Sequence, residues 1–410
     1  MDFQLGKKRI DGANMLLYLC FFLVCLSGHN GISAIETIGR YLMFGLLVLF
    51  VIRENVDRNK TIMSFCIINL LAFLFSTVFN VFSGSIHFKF FNSFKAVMFY
   101  CLFAYCGYYI ARKVPSERIW NLIRRASIVA TVIVMLQYIC AALGVYLNRL
   151  PILGEYLFYA VDTDRYFRPA AYFSEPSYMA EIVLLDLFNN LFRKRNLKMA
   201  LFDIIALALS TSGLGIVFGF GLLVAWAISQ KLVRNSIINF LIKIMLSMTF
   251  AVGLYLFLNY SGENAIINRI LRGSTLSERT LRAFEIYSKL QPGEQIFGIG
   301  MQNLTSYLNY HPLVLINQGV GALVNKEFAQ SFGYILLSLG VLGAVNYIGF
   351  FISLAKQTPR NYRMIYALFL AISLTASLIT RNVFVLYSAA LWSLVDDRKK
   401  LNSKAQTLRI

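Results

Sequence analysis

The sequence predicts an all-α polytopic integral membrane protein with about 12 transmembrane helices. Three observations predict it. Only 14% of the 410 residues are charged, against about a quarter in soluble domains. Apolar runs near the roughly 20 residues that cross a bilayer as a helix recur along the whole length. Clusters of Lys and Arg separate alternate pairs of those runs. The runs are continuous rather than alternating, which argues against a β-barrel. The net charge of +19 would suggest nucleic acid in a soluble protein. Here the basic residues mark cytoplasmic loops, and no nucleic-acid partner is expected.

The runs lie near 13–28, 33–52, 61–82, 92–111, 126–147, 176–192, 199–211, 213–230, 237–259, 328–355, 364–380 and 382–395. The first follows Lys7, Lys8 and Arg9 like a signal peptide. It lacks a small-residue cleavage site on its far side and reads as an uncleaved span. Further basic clusters are Arg53/Arg58/Lys60, Arg112/Lys113/Arg118/Arg124/Arg125, Arg193/Lys194/Arg195/Lys198, Lys231/Arg234/Lys243, Lys356/Arg360/Arg363 and the C-terminal Arg398/Lys399/Lys400/Lys404/Arg409. The positive-inside rule places all of them, and both termini, in the cytoplasm.

That parity constrains two segments. Residues 201–229 lie between two basic loops, so they must leave the membrane on the side they entered. At about 1.5 Å per residue they hold two short helices, turning at Ser210–Thr211–Ser212–Gly213. Residues 364–395 repeat the arrangement, with the turn at Thr380–Arg381–Asn382. The alternative is a pair of long tilted spans. The predicted topology leaves two long external loops, 148–175 and 260–327. The second carries a predicted helix from Leu276 to Leu290. Thr275 and Glu278 stand at capping-box spacing before it, and Pro292–Gly293 stops it. No repeat, linker or second domain is visible, so 1–410 reads as one membrane domain. The cysteines Cys20, Cys25, Cys66, Cys101, Cys106 and Cys140 all fall in apolar runs, and no pair suggests a disulfide or metal site.

External loops normally avoid Arg and Lys, so the exceptions are candidate functional residues. They are Arg149, Arg165 and Arg168 in the first loop and Arg269, Arg272, Arg279, Arg282, Lys289 and Lys326 in the second. Arg40 lies inside the outer end of the second span, where an arginine costs roughly 2.5–3.5 kcal/mol and usually faces protein or a watery cavity. Arg381 sits at the last outer turn. A guanidinium fork binds phosphate through two parallel hydrogen bonds. Arg279 and Arg282, three apart, share a helix face. External arginines above a membrane cavity would suit a diphosphate head group; equally, each can be an ordinary solvated or ion-paired residue.

Glu175 lies at the outer end of the sixth span. With Ser174 as N-cap and Pro176 at the first helical position, it is explained structurally as an acid favoured at a helix start. Alternatively it is a carboxylate at a cavity rim, able to take a proton from a sugar hydroxyl. His311 is the histidine of the second long loop and is open to the same two readings, solvated residue or catalytic base. There is no nucleophile triad, metal-ligand cluster or nucleotide-binding glycine loop, and Gly298-Ile299-Gly300 is too short to hold phosphate. No metal and no cofactor are expected.

The stretch Arg168-Pro169-Ala170-Ala171-Tyr172-Phe173-Ser174-Glu175-Pro176-Ser177-Tyr178-Met179-Ala180 resembles a motif of bacterial Wzy-type O-antigen and capsule polymerases, in which an arginine precedes F-x-E-P-S-x-x-A at the outer end of a span. Ser210-Thr211-Ser212-Gly213 is similar to that family's hydroxyl-rich hairpin. Ser277-Glu278-Arg279 with Phe297-Gly298-Ile299-Gly300 is similar to a loop pattern shared with O-antigen ligases, and Gly333 to Gly343 also fits. The resemblance implies a GT-C-like glycosyltransferase of the bacterial cytoplasmic (inner) membrane that needs no metal. It would join undecaprenyl-diphosphate-linked oligosaccharide units on the external face. Arg168, Arg279 and Arg282, with Arg40 and Arg165, would hold the diphosphate; Glu175 or His311 would serve as base. A chain-length regulator and a flippase would be its partners beside the lipid bilayer. An O-antigen ligase shares this layout but usually lacks the E-P-S stretch. A transporter or flippase predicts inverted repeats and mid-membrane charges.

Overall fold

The computed structural model describes residues 4–5, 8–9, 12–27, 33–54, 59–144, 169–230, 236–259, 274–311 and 329–407. Apart from a two-residue antiparallel pairing of Gln4–Leu5 with Lys8–Arg9, these residues form helices and their connections. The helices are α1 (Gly12–Leu26), α2 (Ser33–Glu54), α3 (Lys60–Phe82), α4 (Phe90–Lys113), α5 (Ser116–Ala142), α6 (Pro176–Phe188), α7 (Leu197–Leu209), α8 (Gly213–Ser229) and α9 (Ser236–Asn259). They continue with α10 (Ser274–Lys289), α11 (Pro292–Phe297), α12 (Leu304–Tyr310), α13 (Ser331–Gln357), α14 (Met364–Ser373) and α15 (Val383–Thr407). Each predicted apolar run overlaps a helix, although residues 374–380 of the run 364–380 are connection. Among the described residues, α2, α3, α4, α5 and α13 are long and apolar enough to cross a membrane, with shorter apolar helices beside them. That is the make-up of a multi-pass membrane protein.

Local chemistry explains several boundaries. Asn59 caps α3 by accepting from the Thr61 amide, and Asn196 caps α7 by accepting from Met199. The turn between α7 and α8 falls where the hydroxyls and glycine predicted it. Ser210 Oγ donates to the Leu207 carbonyl, Thr211 takes φ 52°, and Ser212 Oγ accepts from the Gly215 amide. Two boundaries differ from expectation. Pro292 does not merely stop α10: it occupies the first turn of α11, where its missing N–H costs nothing. The turn before α15 is not confined to Thr380–Asn382. α14 ends at Ser373, and residues 374–382 form the connection.

The chain divides into two compact units. One comprises Met1–Val24, Gly39–Ser116 and Ser277–Ile410; the other comprises Cys25–Ile38 and Glu117–Leu276.

In the first unit α15 runs along α4, where Ser388 Oγ donates to the Ala104 carbonyl at 3.1 Å and Trp392 meets Tyr108 edge to face at 4.9 Å. α13 packs on α3 through Phe65 and Phe350, 4.2 Å apart, and through Asn346, whose amide donates to the Phe65 carbonyl. α13 is broken at Gly340, with φ 65° and ψ −162°. Carbonyls opened by the break accept from the segment after α11: Ile299 N–H donates to Leu337 at 2.9 Å and Gly300 N–H to Ser338 at 3.0 Å. Ser76 and Asn80 of α3 donate to the Gly298 carbonyl at 3.1 and 2.9 Å. A membrane helix can break only where such partners satisfy it.

In the second unit α6 is buried on every side, from Met179 to Phe188. It packs against α7 and α8 and passes into a π-helical turn, Asn189–Arg193. Arg193 lies 4.8 Å over the Trp120 ring of α5, and both Arg193 and Lys194 pair with Glu117.

Candidate functional site

The second unit holds the Glu175 stretch. Residues 169–175 fold onto the unit's own helices. Ala171 adopts φ 53° and donates its N–H to Gln137 Oε1, and Tyr172 OH donates to the Ala126 carbonyl. Phe173 is buried. Burial raises the Tyr172 hydroxyl pKa well above its ordinary value, so this group stays a neutral donor. Ser174 was the predicted N-cap; the structure gives that position to Glu175, in extended conformation at φ −141° and ψ 147°. Ser174 Oγ instead donates to the Ser27 carbonyl at 2.8 Å. The reason is Pro176, which brings α6 to its first turn one residue later than a Ser174 cap requires.

The Glu175 carboxylate does not cap its helix. It is half-buried and its Oε2 accepts from Ser177 Oγ at 2.9 Å. The backbone carbonyl of Glu175 accepts the first bonds of the helix, from Tyr178 and Met179. A second carboxylate, which sequence reasoning missed, is linked to the neighbouring Ser174. Ser27 Oγ donates to Glu36 Oε1 at 2.8 Å, and the Ser27 carbonyl is the acceptor of Ser174. Glu36 lies in the first turn of α2, and nothing in the sequence links it to Ser174.

The first unit holds Arg40, Arg282 and His311. Arg40 is half-buried, and its Nε donates to Asn382 Oδ1 at 3.1 Å. Asn382 is itself fixed, donating to the Leu23 carbonyl. Beside Arg40 a narrow hollow of about 50 Å³ is lined by Tyr100, Gln302, Tyr334 and Thr380. Gln302 holds φ 58° and donates its N–H to Tyr334 OH at 2.8 Å. A non-glycine residue in that region stores strain, which concentrates at ligand-holding sites.

Arg282 is buried on α10 at 8% exposure, not on a solvated face. Its neighbours explain this: Ala283 packs directly on Gly333 of α13, and Ala283, Ile286 and Leu290 share a core with Ile299, Leu304 and Leu337. Tyr334 lines the Arg40 hollow, one residue from the Gly333 contact. Arg40, through its hollow, and the helix that carries Arg282 thus both approach the first turn of α13. Arg279 lies on α10 with its side chain outside the described residues, and Arg165 and Arg168 are outside them altogether.

His311 ends α12, exposed, with its ring 4.7 Å from Tyr307 and 5.9 Å from His87. His87, in a short turn that sequence reasoning passed over, is buried, and among the described residues its Nε2 has no hydrogen-bond partner. Burial lowers the His87 pKa; Glu294 acts against that and His311 with it. Tyr307 donates to Glu294 Oε2 at 2.9 Å, and burial with that bond pushes its hydroxyl pKa up. His311 is thus stacked at the edge of an aromatic and acidic group, with no carboxylate orienting its ring among the described residues. Arginines suit an anionic group, and Glu175 suits a proton-accepting role. Among the described residues no cluster of three or more His, Cys, Asp or Glu could hold a metal ion. No family model, no curated protein and no solved structure matches the chain.

Proposed function

We propose that this protein is a Wzy-type polysaccharide polymerase, a metal-independent glycosyltransferase acting on lipid-linked sugars. It would lie in the bacterial cytoplasmic (inner) membrane with about 12 spans, a GT-C-like fold and both termini in the cytoplasm. It transfers a growing glycan from undecaprenyl diphosphate to the next undecaprenyl-diphosphate-linked oligosaccharide on the external face, assisted by a chain-length regulator and supplied by a flippase. The observation that carries this reading is Glu175. In the F-S-E-P-S stretch it stands at the start of α6, where an acid is favoured, but its carboxylate makes no cap hydrogen bond. It is left half-buried with Ser177 as donor, suited to accept a proton from an acceptor hydroxyl.

Arg40 and Arg282 support the donor half of the reaction. A partly buried guanidinium held by a fixed amide stabilises the charge that develops as the diphosphate leaves, at little cost of reorganisation. Arg168, Arg165 and Arg279 are proposed for the same anion on the strength of the sequence motif. The test is deletion of the gene followed by mass analysis of the lipid-linked glycan, with complementation by Glu175→Ala and Arg168→Ala at normal protein levels. Accumulation of single repeat units in all three strains is expected. Long lipid-linked polymer in the deletion would make the protein a ligase, and normal chains in both variants would remove the site.

A further inference from the structure

The second unit contains a polar cluster that the proposed transfer does not use. Asp186 near the end of α6, Asn189 and Asn190 in the π-helical turn, and Asp203 in α7 are each no more than 1% exposed. Asp203 is fully served: Oδ1 accepts from Ser127 Oγ of α5 at 2.9 Å, and Oδ2 from Asn190 Nδ2 at 2.7 Å. Asp186 is less well served: its Oδ1 accepts from Asn189 Nδ2 at 3.3 Å, the Asn190 side chain also reaches this carboxyl group, and Oδ2 stays open. Two acceptors are left without a donor among the described residues, Asp186 Oδ2 and Asn190 Oδ1. The open Asn190 oxygen belongs to the amide that grips Asp203, so it points to a missing donor independently of the two acids. Asp186 and Asn190 stand four residues apart, on one face of the helix. A π-helical turn is itself a frequent companion of functional sites.

We propose that Asp186 is a proton-binding site within the helical layer, carrying its proton on Oδ2 and donating it to Asn190 Oδ1. One proton converts an acceptor into a donor and satisfies both open oxygens at once. Charge points the same way. Arg124 of α5 is near enough to act on both carboxylates, which also repel each other. Two carboxylates against one guanidinium leave one negative charge in a medium that tolerates none unpaired. Of the other charged groups on these elements, Arg118 and Arg125 of α5 and Lys198 of α7 are exposed. Arg193 is held by Glu117 and Asn189, Glu181 is a further buried acid on α6 with interactions of its own, and α8 carries no charged side chain. A metal cation fits poorly, since a hard cation takes about six oxygens and only two are open here. The proton comes from water and returns to it, with no other bond made or broken.

The test is infrared spectroscopy of the purified full-length protein at neutral pH, in water and in deuterium oxide. The wild type should show the carbonyl band of a buried carboxylic acid with its isotope shift. Asp186→Asn should lose one such acid per chain, while Glu181→Gln keeps the Asp186 band. The amide introduced by Asp186→Asn would donate to Asn190 as the acid does, so this variant should melt no lower than wild type at neutral pH. It should also lack the wild type's loss of stability as pH rises and the proton leaves. No band in the wild type, or a band unchanged by Asp186→Asn, overturns the proposal. So does a melting temperature raised by sodium but not potassium at constant pH, which would make the occupant a metal cation.

Discussion

Replacing Gly340 by alanine should loosen the first unit at its centre. The residue sits at φ 65° and ψ −162°, a region open essentially to glycine, and forcing another residue into it costs about 1–3 kcal/mol. An added Cβ would also run into the Ile296 carbonyl and come within 2.9 Å of the Gly298 amide, both main chain and unable to swing aside. Moving that segment weakens Ile299 N–H to Leu337 and Gly300 N–H to Ser338, each a buried bond worth about 0.5–1.5 kcal/mol. A central estimate of about 3 kcal/mol lowers the folded-to-unfolded ratio roughly 100-fold. Cys20, Cys101 and Cys106 are buried free thiols of the same unit, so a thiol-reactive fluorophore reports its unfolding in detergent. Gly349→Ala is the control: it lies on the same helix, its Cβ meets open space, and alanine should stabilise by roughly 0.5–1 kcal/mol. A Gly340→Ala protein that melts with or above wild type would refute the account of the break.

Other outcomes follow from the sites. Glu175→Gln keeps the shape of the side chain and removes the base; chain growth measured by gel profile should fall about 100-fold or more at unchanged protein level. Arg40→Lys keeps the charge but loses the Nε–H bond to Asn382, and transfer should drop about tenfold, the worth of one charge-assisted bond. His87 is buried with its pKa lowered from 6.5, so the unfolded chain takes up its proton first as pH falls. Its stabilising contribution is intact above pH 6.5 and is lost as pH drops through that value toward the lower folded one. Melting curves should show that loss, and His87→Leu should flatten it.

Much of the helical layout was legible because its signals are local. Apolar run length fixed α3 and α4 to within two residues at each end, and hydroxyls followed by glycine marked the Ser210–Gly213 turn. What was not legible depends on partners distant in the chain. Gly340 reads as one more glycine in an apolar run. Its break is dictated by the Gly298–Gly300 segment, some forty residues earlier, whose donors no periodicity reveals. For the same reason that glycine pair could be dismissed as a phosphate loop but not recognised as an internal connector. Asp186 and Asp203 lie in separate runs, and nothing in the pattern shows that Asn190 of the π-helical turn reaches both carboxyl groups. Glu175 was legible as a motif residue. Its place at the N-cap position was not, because one residue of offset at Pro176 decides it.

The interruption of α13 bears on how the chain is assembled during synthesis. By the time Leu337 and Ser338 leave the ribosome, Ser76, Asn80, Ile299 and Gly300 have all been made, so the amides that receive those carbonyls are already waiting. The ribosome's order of delivery thus protects a helix that could not enter lipid alone with its peptide groups open. Exchange of sequence between relatives would have to carry residues 292–303 and α13 together, because either one inherited from a different parent would meet a surface shaped for another.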